Sequence, residues 1–164
     1  MGTESWGERT FRRILFCTDF SENADFAFSF AVDAAQRRPG CELYILHIVP
    51  ETDAQFWKTY LYEVEDVDNK AKQDMDARVR ASYLSRLPES IPVQVEYRAG
   101  RDSEEILKFA REKEVDLIVM GRHGRSKLGK TLFGNVTEKV ARKADCAVLI
   151  VPLSYERRLE HEQR

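Results

Sequence analysis

Five short runs of β-forming residues recur along the chain, at residues 13–18, 41–49, 91–97, 115–120 and 146–151, with helical spacing between them. A chain that alternates in this way is satisfied by right-handed crossovers in a mainly parallel sheet covered by helices on both faces. Four of the runs are almost continuously apolar, as strands buried on two sides must be. The run at 91–97 alternates instead, and Pro92 lacks the N–H that an interior strand needs, so the third strand belongs on a sheet edge. The expected fold class is α/β, a single open five-stranded parallel sheet with helices on both faces, Rossmann-like.

The helical stretches carry their own signals. Over residues 22–38 the positions Ala24, Ala27, Phe30, Ala31, Ala34 and Ala35 share one face, flanked by Phe26 and Phe28, and Pro39-Gly40 ends the helix. Val64, Val67, Ala71, Met75, Val79, Tyr83 and Leu87 recur at three or four residues, giving a second amphipathic helix that Pro88 closes. Residues 51–62 show no clear period and read as a loop or a frayed helix start. After Gly100, either Asp102 or Ser103 caps a short helix whose inner side is Ile106, Leu107, Phe109 and Ala110.

With 164 residues, 43% of them hydrophobic, the chain can bury one substantial core. One domain is expected over 12–152, with a polar leader at 1–11 and a charged tail at 153–164 that is solvated or docks. The 26 basic and 28 acidic residues leave a net charge of −2, which gives the whole protein no pull toward nucleic acid or an anionic membrane. No apolar run approaches the roughly 20 residues of a membrane span, and the first residues lack a charged-then-apolar signal pattern. A cytoplasmic location is expected. Cys17, Cys41 and Cys146 lie in or beside apolar runs without a Cys-x-x-Cys pair and read as buried reduced thiols, while His47, His123 and His161 are too scattered for a metal site.

In open parallel sheets, ligands bind beyond the C-terminal strand ends where the strand order reverses. Candidates there are Thr18 and Asp19 after the first strand, Ile48 in the second, and the glycine-rich stretch from Gly121 to Glu138 after the fourth. If strands one and four are neighbours, these stretches form one cleft. Two motifs compete in the glycine-rich stretch. Gly124, Gly129, Lys130 and Thr131 match Gly-x4-Gly-Lys-Thr, a P-loop. That reading needs a carboxylate at another strand end for Mg²⁺, yet the one later strand ends Leu149-Ile150-Val151-Pro152, and an earlier strand could supply one, with Asp19 the obvious candidate, only through an unusual permuted order. It also puts Gly134 inside a helix, at about 1 kcal/mol relative to Ala. Gly121, Gly124, Gly134 and Asn135 instead match Gly-x-x-Gly-x9-Gly-Asn, in which Asn135 opens the helix and Glu138 completes a capping box. Arg125, Lys127 and Lys130 then lie in a basic loop able to approach phosphates.

Four stretches resemble the universal stress protein family: Ile14-Leu15-Phe16-Cys17-Thr18-Asp19-Phe20-Ser21, Leu46-His47-Ile48, Asp116-Leu117-Ile118-Val119-Met120-Gly121-Arg122-His123-Gly124, and Gly134-Asn135-Val136-Thr137-Glu138. The resemblance spans about 12–152 and implies an adenine nucleotide alpha hydrolase-like fold that binds ATP. It implies that Asp19 meets the adenine edge, that Cys17, Thr18 and Ile48 line the base site, and that Met120 and Gly121 lie under the ribose. The phosphates would meet Arg122, His123, Gly124, Arg125, Ser126, Lys127, Gly134, Asn135, Val136 and Thr137, with Mg²⁺ or Mn²⁺ on the phosphate oxygens. Cys17 stands where nucleotide-binding members often have Pro, and Asn135 where Ser or Thr is commoner. The resemblance further implies a homodimer through the last strand, an unidentified protein partner, and a regulatory role in the stress response. Hydrolysis would be weak at most, because no general base is recognisable. The rival readings are a dimeric scaffold without nucleotide and a P-loop phosphotransferase using Lys130.

Overall fold

The computed structural model describes residues 11–50, 65–122 and 135–163. Among them lie five strands, β1 (Arg13–Thr18), β2 (Glu42–Pro50), β3 (Val93–Gly100), β4 (Leu117–Gly121) and β5 (Ala147–Val151), which form one parallel sheet in the order β3-β2-β1-β4-β5. Five helices accompany them: α1 (Glu22–Gln36), α2 (Glu65–Ser82), α3 (Asp102–Glu112), α4 (Asn135–Lys143) and α5 (Ser154–Glu162). The chain steps outward from β1 to β2 and β3, then returns across the sheet to β4 and β5. The order therefore reverses between β1 and β4, which pair directly with Phe16 opposite Val119.

The period-two alternation of the central strands divides the core in two. On one face Ile14 and Phe16 of β1, Leu43 and Ile45 of β2, and Leu117 and Val119 of β4 pack on α1, on Val79 of α2 and on Tyr83 just beyond it. On the other, Leu15, Cys17, Leu46, Ile48, Ile118 and Met120 pack on Ile106, Leu107, Phe109 and Ala110 of α3 and Val140 of α4. Both faces of the sheet are covered, as the apolar runs require.

Ser21 caps α1, its hydroxyl accepting the Ala24 N–H at 3.2 Å, and Glu22 and Asp25 place negative charge in the first turn. The helix stops at Gln36, and Gly40 adopts φ +81°, a conformation open to glycine that turns the chain into β2. The buried stripe of α1 is Ala24, Ala27, Phe28, Ala31 and Ala35, together with Asn23. Phe28 is thus central rather than flanking, while Phe30 and Ala34 are only partly buried. Alanines on several sides of the helix blur the apolar arc, so spacing alone misplaces its centre.

Three other boundaries differ from the sequence expectation. Neither Asp102 nor Ser103 caps α3: Arg101 occupies the N-cap position without a side-chain bond, and Asp102 is the first helical residue. α2 ends at Ser82, before a short 3₁₀ turn at Leu84–Arg86, instead of running to residue 87. β3 begins at Val93, one residue after Pro92, whose carbonyl accepts the Leu43 N–H at 2.9 Å. β3 lies on an edge as Pro92 implies, with β5 on the opposite edge. The tail is helical as α5, and Tyr155 rests against Phe26 and Phe30 with ring centroids 6.3 and 5.9 Å away. No helix among the described residues is long and apolar enough to cross a membrane.

Candidate functional site

The C-terminal ends of β1 and β4 meet at the reversal of strand order, and each is shaped by side chains bonded to backbone. After β1, the Phe20 N–H donates to Thr18 Oγ1 at 2.9 Å and the Ser21 N–H donates to Asp19 Oδ1 at 2.9 Å. These two local bonds fold the turn and hold Phe20 at φ +59°, an uncommon conformation for an aromatic residue. The Phe20 ring lies 4.7 Å from His47, 6.0 Å from Tyr83 and 4.3 Å from the Arg78 guanidinium, and His47 Nδ1 lies 2.8 Å from the Thr18 carbonyl.

The Thr18 hydroxyl lies on the α1 side of the sheet, 5% exposed, and is hydrogen-bonded to the Tyr83 hydroxyl. Its neighbour Cys17 lies on the α3 and α4 side. Consecutive strand residues point to opposite faces, so a ligand on the α3 and α4 side would meet Cys17 and the Thr18 backbone rather than the Thr18 hydroxyl. Ile48 and Met120 belong to the Cys17 side. Burial raises the Cys17 thiol far above its ordinary value, and the Asp102 and Cys146 charges push the same way. A thiol held neutral in this way is a packing group rather than a nucleophile.

At the end of β4, Gly121 lies against the first turn of α1. A Cβ on Gly121 would sit 2.9 Å from Asn23 Cγ and 3.0 Å from the Asn23 backbone carbon. Asn23, 5% exposed, donates from Nδ2 to the Val151 carbonyl at 2.9 Å, and the Arg122 N–H donates to the same carbonyl at 3.0 Å. The ends of β4 and β5 and the start of α1 are therefore locked at one point. From α4, the buried Thr137 hydroxyl lies 3.3 Å from the Gly121 carbonyl and 3.2 Å from the Arg122 carbonyl. Thr137 thus fixes the start of α4 over the end of β4. Helix starts leave backbone N–H groups without intrahelical partners, and those of α4 follow directly on the glycine-rich stretch.

Asp102 opens α3 beside this rim. Partial desolvation raises its carboxyl above the ordinary value, His47 acts against that rise and Asp19 adds to it. His47 and Asp19 thus both act on the Asp102 carboxyl, in opposite directions. Among the described residues no group of three or more His, Cys, Asp or Glu side chains could hold a metal ion.

Of the residues singled out in the sequence, Cys17, Thr18, Asp19, Ile48, Met120, Gly121, Arg122, Asn135, Val136 and Thr137 are described and gather at this end of the sheet. His123, Gly124, Arg125, Ser126, Lys127 and Gly134 lie outside the described residues, as does Lys130. Asn23 and Tyr83 are the residues sequence reasoning missed. Asn23 is a polar residue one turn before Ala27 on an otherwise apolar stripe, which is the signal that could have found it. Tyr83 is visible as a core position, but nothing local announces where its hydroxyl goes.

An all-parallel sheet of order 3-2-1-4-5, helix-covered on both faces and with its strand reversal between β1 and β4, defines an open Rossmann-like α/β domain. Residues 10–152 match the profile of the Universal stress protein family, and the chain belongs to that family. It is 30% identical over 154 residues to universal stress protein MJ0577 of Methanocaldococcus jannaschii, covering 86% of this chain and 94% of that protein. The solved structure of MJ0577 overlays with a TM-score of 0.70 over 87% of this chain and 96% of its own. Two solved structures share the fold at lower identity. One is a universal stress protein in complex with cAMP, at 22% identity and a TM-score of 0.56 over 87% of this chain and 98% of that one. The other, from Archaeoglobus fulgidus in complex with dAMP, has 19% identity and a TM-score of 0.58 over 86% and 97%.

Proposed function

We propose that this chain is an ATP-binding regulatory module of the stress response, with the nucleotide lying across the C-terminal ends of β1 and β4. The observation that carries the reading is the direct pairing of those strands. It sets the Thr18–Asp19 turn beside Gly121 and Arg122, with the start of α4 tied to both carbonyls through Thr137. Asp19 would take the adenine edge, Cys17 and Ile48 the base, and Met120 with Gly121 the ribose. The first amides of α4 and the residues 122–127 and 134 would take the phosphates. The residues suit a polyanion, since Thr137 ties the start of α4, whose first amides lack intrahelical partners, to the carbonyls of Gly121 and Arg122 at the end of β4. Mg²⁺ or Mn²⁺ would ride on the phosphate oxygens and supply charge neutralisation there. Family membership and the cAMP and dAMP held by two relatives of the same fold agree with an adenine nucleotide. The same reading takes the outer edge of β5, where Leu149 is 37% exposed, as the strand on which a second copy pairs.

Calorimetric titration of ATP into protein freed of bound ligand tests the binding. Saturable binding is expected, abolished in Gly124→Ala and Gly134→Ala and only weakened in Lys130→Ala. Absence of binding by the wild type would favour the scaffold reading. Loss of binding in Lys130→Ala together with fast turnover would favour the P-loop phosphotransferase.

A further inference from the structure

Tyr83 follows the last residue of α2, far in sequence from the cleft, yet its ring is fully buried and its hydroxyl ends a chain of bonds that begins in the first turn. The Phe20 N–H donates to Thr18 Oγ1 at 2.9 Å, Thr18 Oγ1 meets the Tyr83 hydroxyl, and that hydroxyl lies 2.7 Å from Asp25 Oδ1. An amide N–H can only donate and an ionised carboxylate can only accept, so every proton in the chain has one place. Tyr83 donates to Asp25 and must accept from Thr18. Thr18 in turn keeps a lone pair for the Phe20 N–H. The Tyr83 ring then packs on Phe16, Phe20 and Phe28 at 5.2, 6.0 and 4.8 Å, bracing the residue that carries the unfavourable backbone angle. Arg86, a turn later, adds bonds to the Asp25 carbonyl at 3.3 Å and to Ser29 Oγ at 3.1 Å.

We propose that Tyr83 is a positioning residue for the Thr18–Ser21 turn, fixing through the Thr18 hydroxyl and the Phe20 ring the backbone from which Asp19 reaches the nucleotide. This rests on the nucleotide reading above for its consequence but not for its geometry. The end of α2 is thereby joined to the cleft wall, so a change in one is felt by the other. A second tyrosine of similar chemistry provides a control. Tyr97 of β3, opposite His47 in the sheet, donates to Asp76 of α2 at 2.8 Å rather than to a residue of the turn.

The test compares Tyr83→Phe and Tyr97→Phe in the full chain by thermal melting, amide hydrogen exchange and ATP calorimetry. Loss of the Tyr83 hydroxyl removes its two hydrogen bonds, to Thr18 and to Asp25, and frees the Thr18 hydroxyl that receives the Phe20 N–H, so exchange of the Phe20 and Ser21 amides is expected to quicken by about tenfold. ATP affinity is expected to fall by a similar factor. Tyr97→Phe is expected to lower the melting temperature while leaving both readouts at wild-type values. Equal exchange in Tyr83→Phe and wild type overturns the proposal, as does an equal response to both variants, which would mean general loosening. If the wild type binds no ATP, the nucleotide reading fails by itself and the exchange rates alone decide the role of Tyr83.

Discussion

Asn23 closes over Gly121 so tightly that a Cβ on the glycine would lie 2.9 Å from Asn23 Cγ and 3.0 Å from the Asn23 main chain. The contact joins the start of α1 to the end of β4, and the Asn23 amide carries it on to the Val151 carbonyl of β5. Gly121→Ala must therefore push α1 outward, because backbone cannot rotate away as a side-chain tip can. A loss of about 1–3 kcal/mol in urea denaturation is expected. Asn23→Ala in the same chain should recover only part of it, since the main-chain approach remains. Full recovery in the double variant would assign the clash to the Asn23 side chain alone.

Phe28 and Phe26 stand two residues apart on α1 but on different ground. Phe28 is fully buried against Phe16 and Tyr83, whereas Phe26 is partly buried beside Phe30 and Tyr155. Phe28→Ala should cost about 3–5 kcal/mol and Phe26→Ala about 1 kcal/mol in chemical denaturation. Similar losses for the two would place the core stripe of α1 elsewhere.

How far these contacts could be foreseen depends on whether a local pattern encodes them. Central strands announce themselves because burial on both faces demands an unbroken apolar run, and Pro92 marks an edge because it cannot donate. The cap at Ser21 is local in the same sense, since its hydroxyl serves an amide three residues on. The pairing of β1 with β4 was legible only as a condition, that neighbouring strands would unite the two turns. What stayed hidden are bonds spanning the fold: Asn23 to Val151 is separated by 128 residues and Thr18 to Tyr83 by 65. Thr18 shows the limit best. Its type and place mark it for the strand-end turn, but only strand alternation in the fold shows that its hydroxyl meets Tyr83 on the α1 side while Cys17 faces α3 and α4.

The outer edge of β5 is expected to pair with its twin. Ala147 and Leu149 are exposed, and an unpaired edge with an exposed leucine invites another strand. Leu149→Glu would set like charges near each other across such a pair. Wild-type protein at micromolar concentration should sediment as a dimer and the variant as a monomer. A wild-type monomer under those conditions would remove β5 as the dimer contact.

Asp102 supplies a prediction in pH. Desolvation raises its folded carboxyl above the ordinary value of 3.8, with Asp19 adding to the rise and His47 opposing it. A carboxyl raised by folding is held more readily protonated in the native state than in the unfolded chain. Stability is then greatest while both states are protonated, and falls as pH climbs from 3.8 through the folded value. Asp102→Asn removes the titration while keeping a short polar residue at the start of α3. Relative to wild type, the variant should therefore gain stability as pH rises from acid to neutral, a difference read by melting at matched ionic strength. Its effect on ATP should run the same way, because it removes a negative charge beside the rim that the phosphates approach. Tighter ATP binding at neutral pH, shrinking as salt is added, is the expected result. A variant that loses stability relative to wild type over the same climb would show that attraction to His47 outweighs the desolvation of the carboxyl.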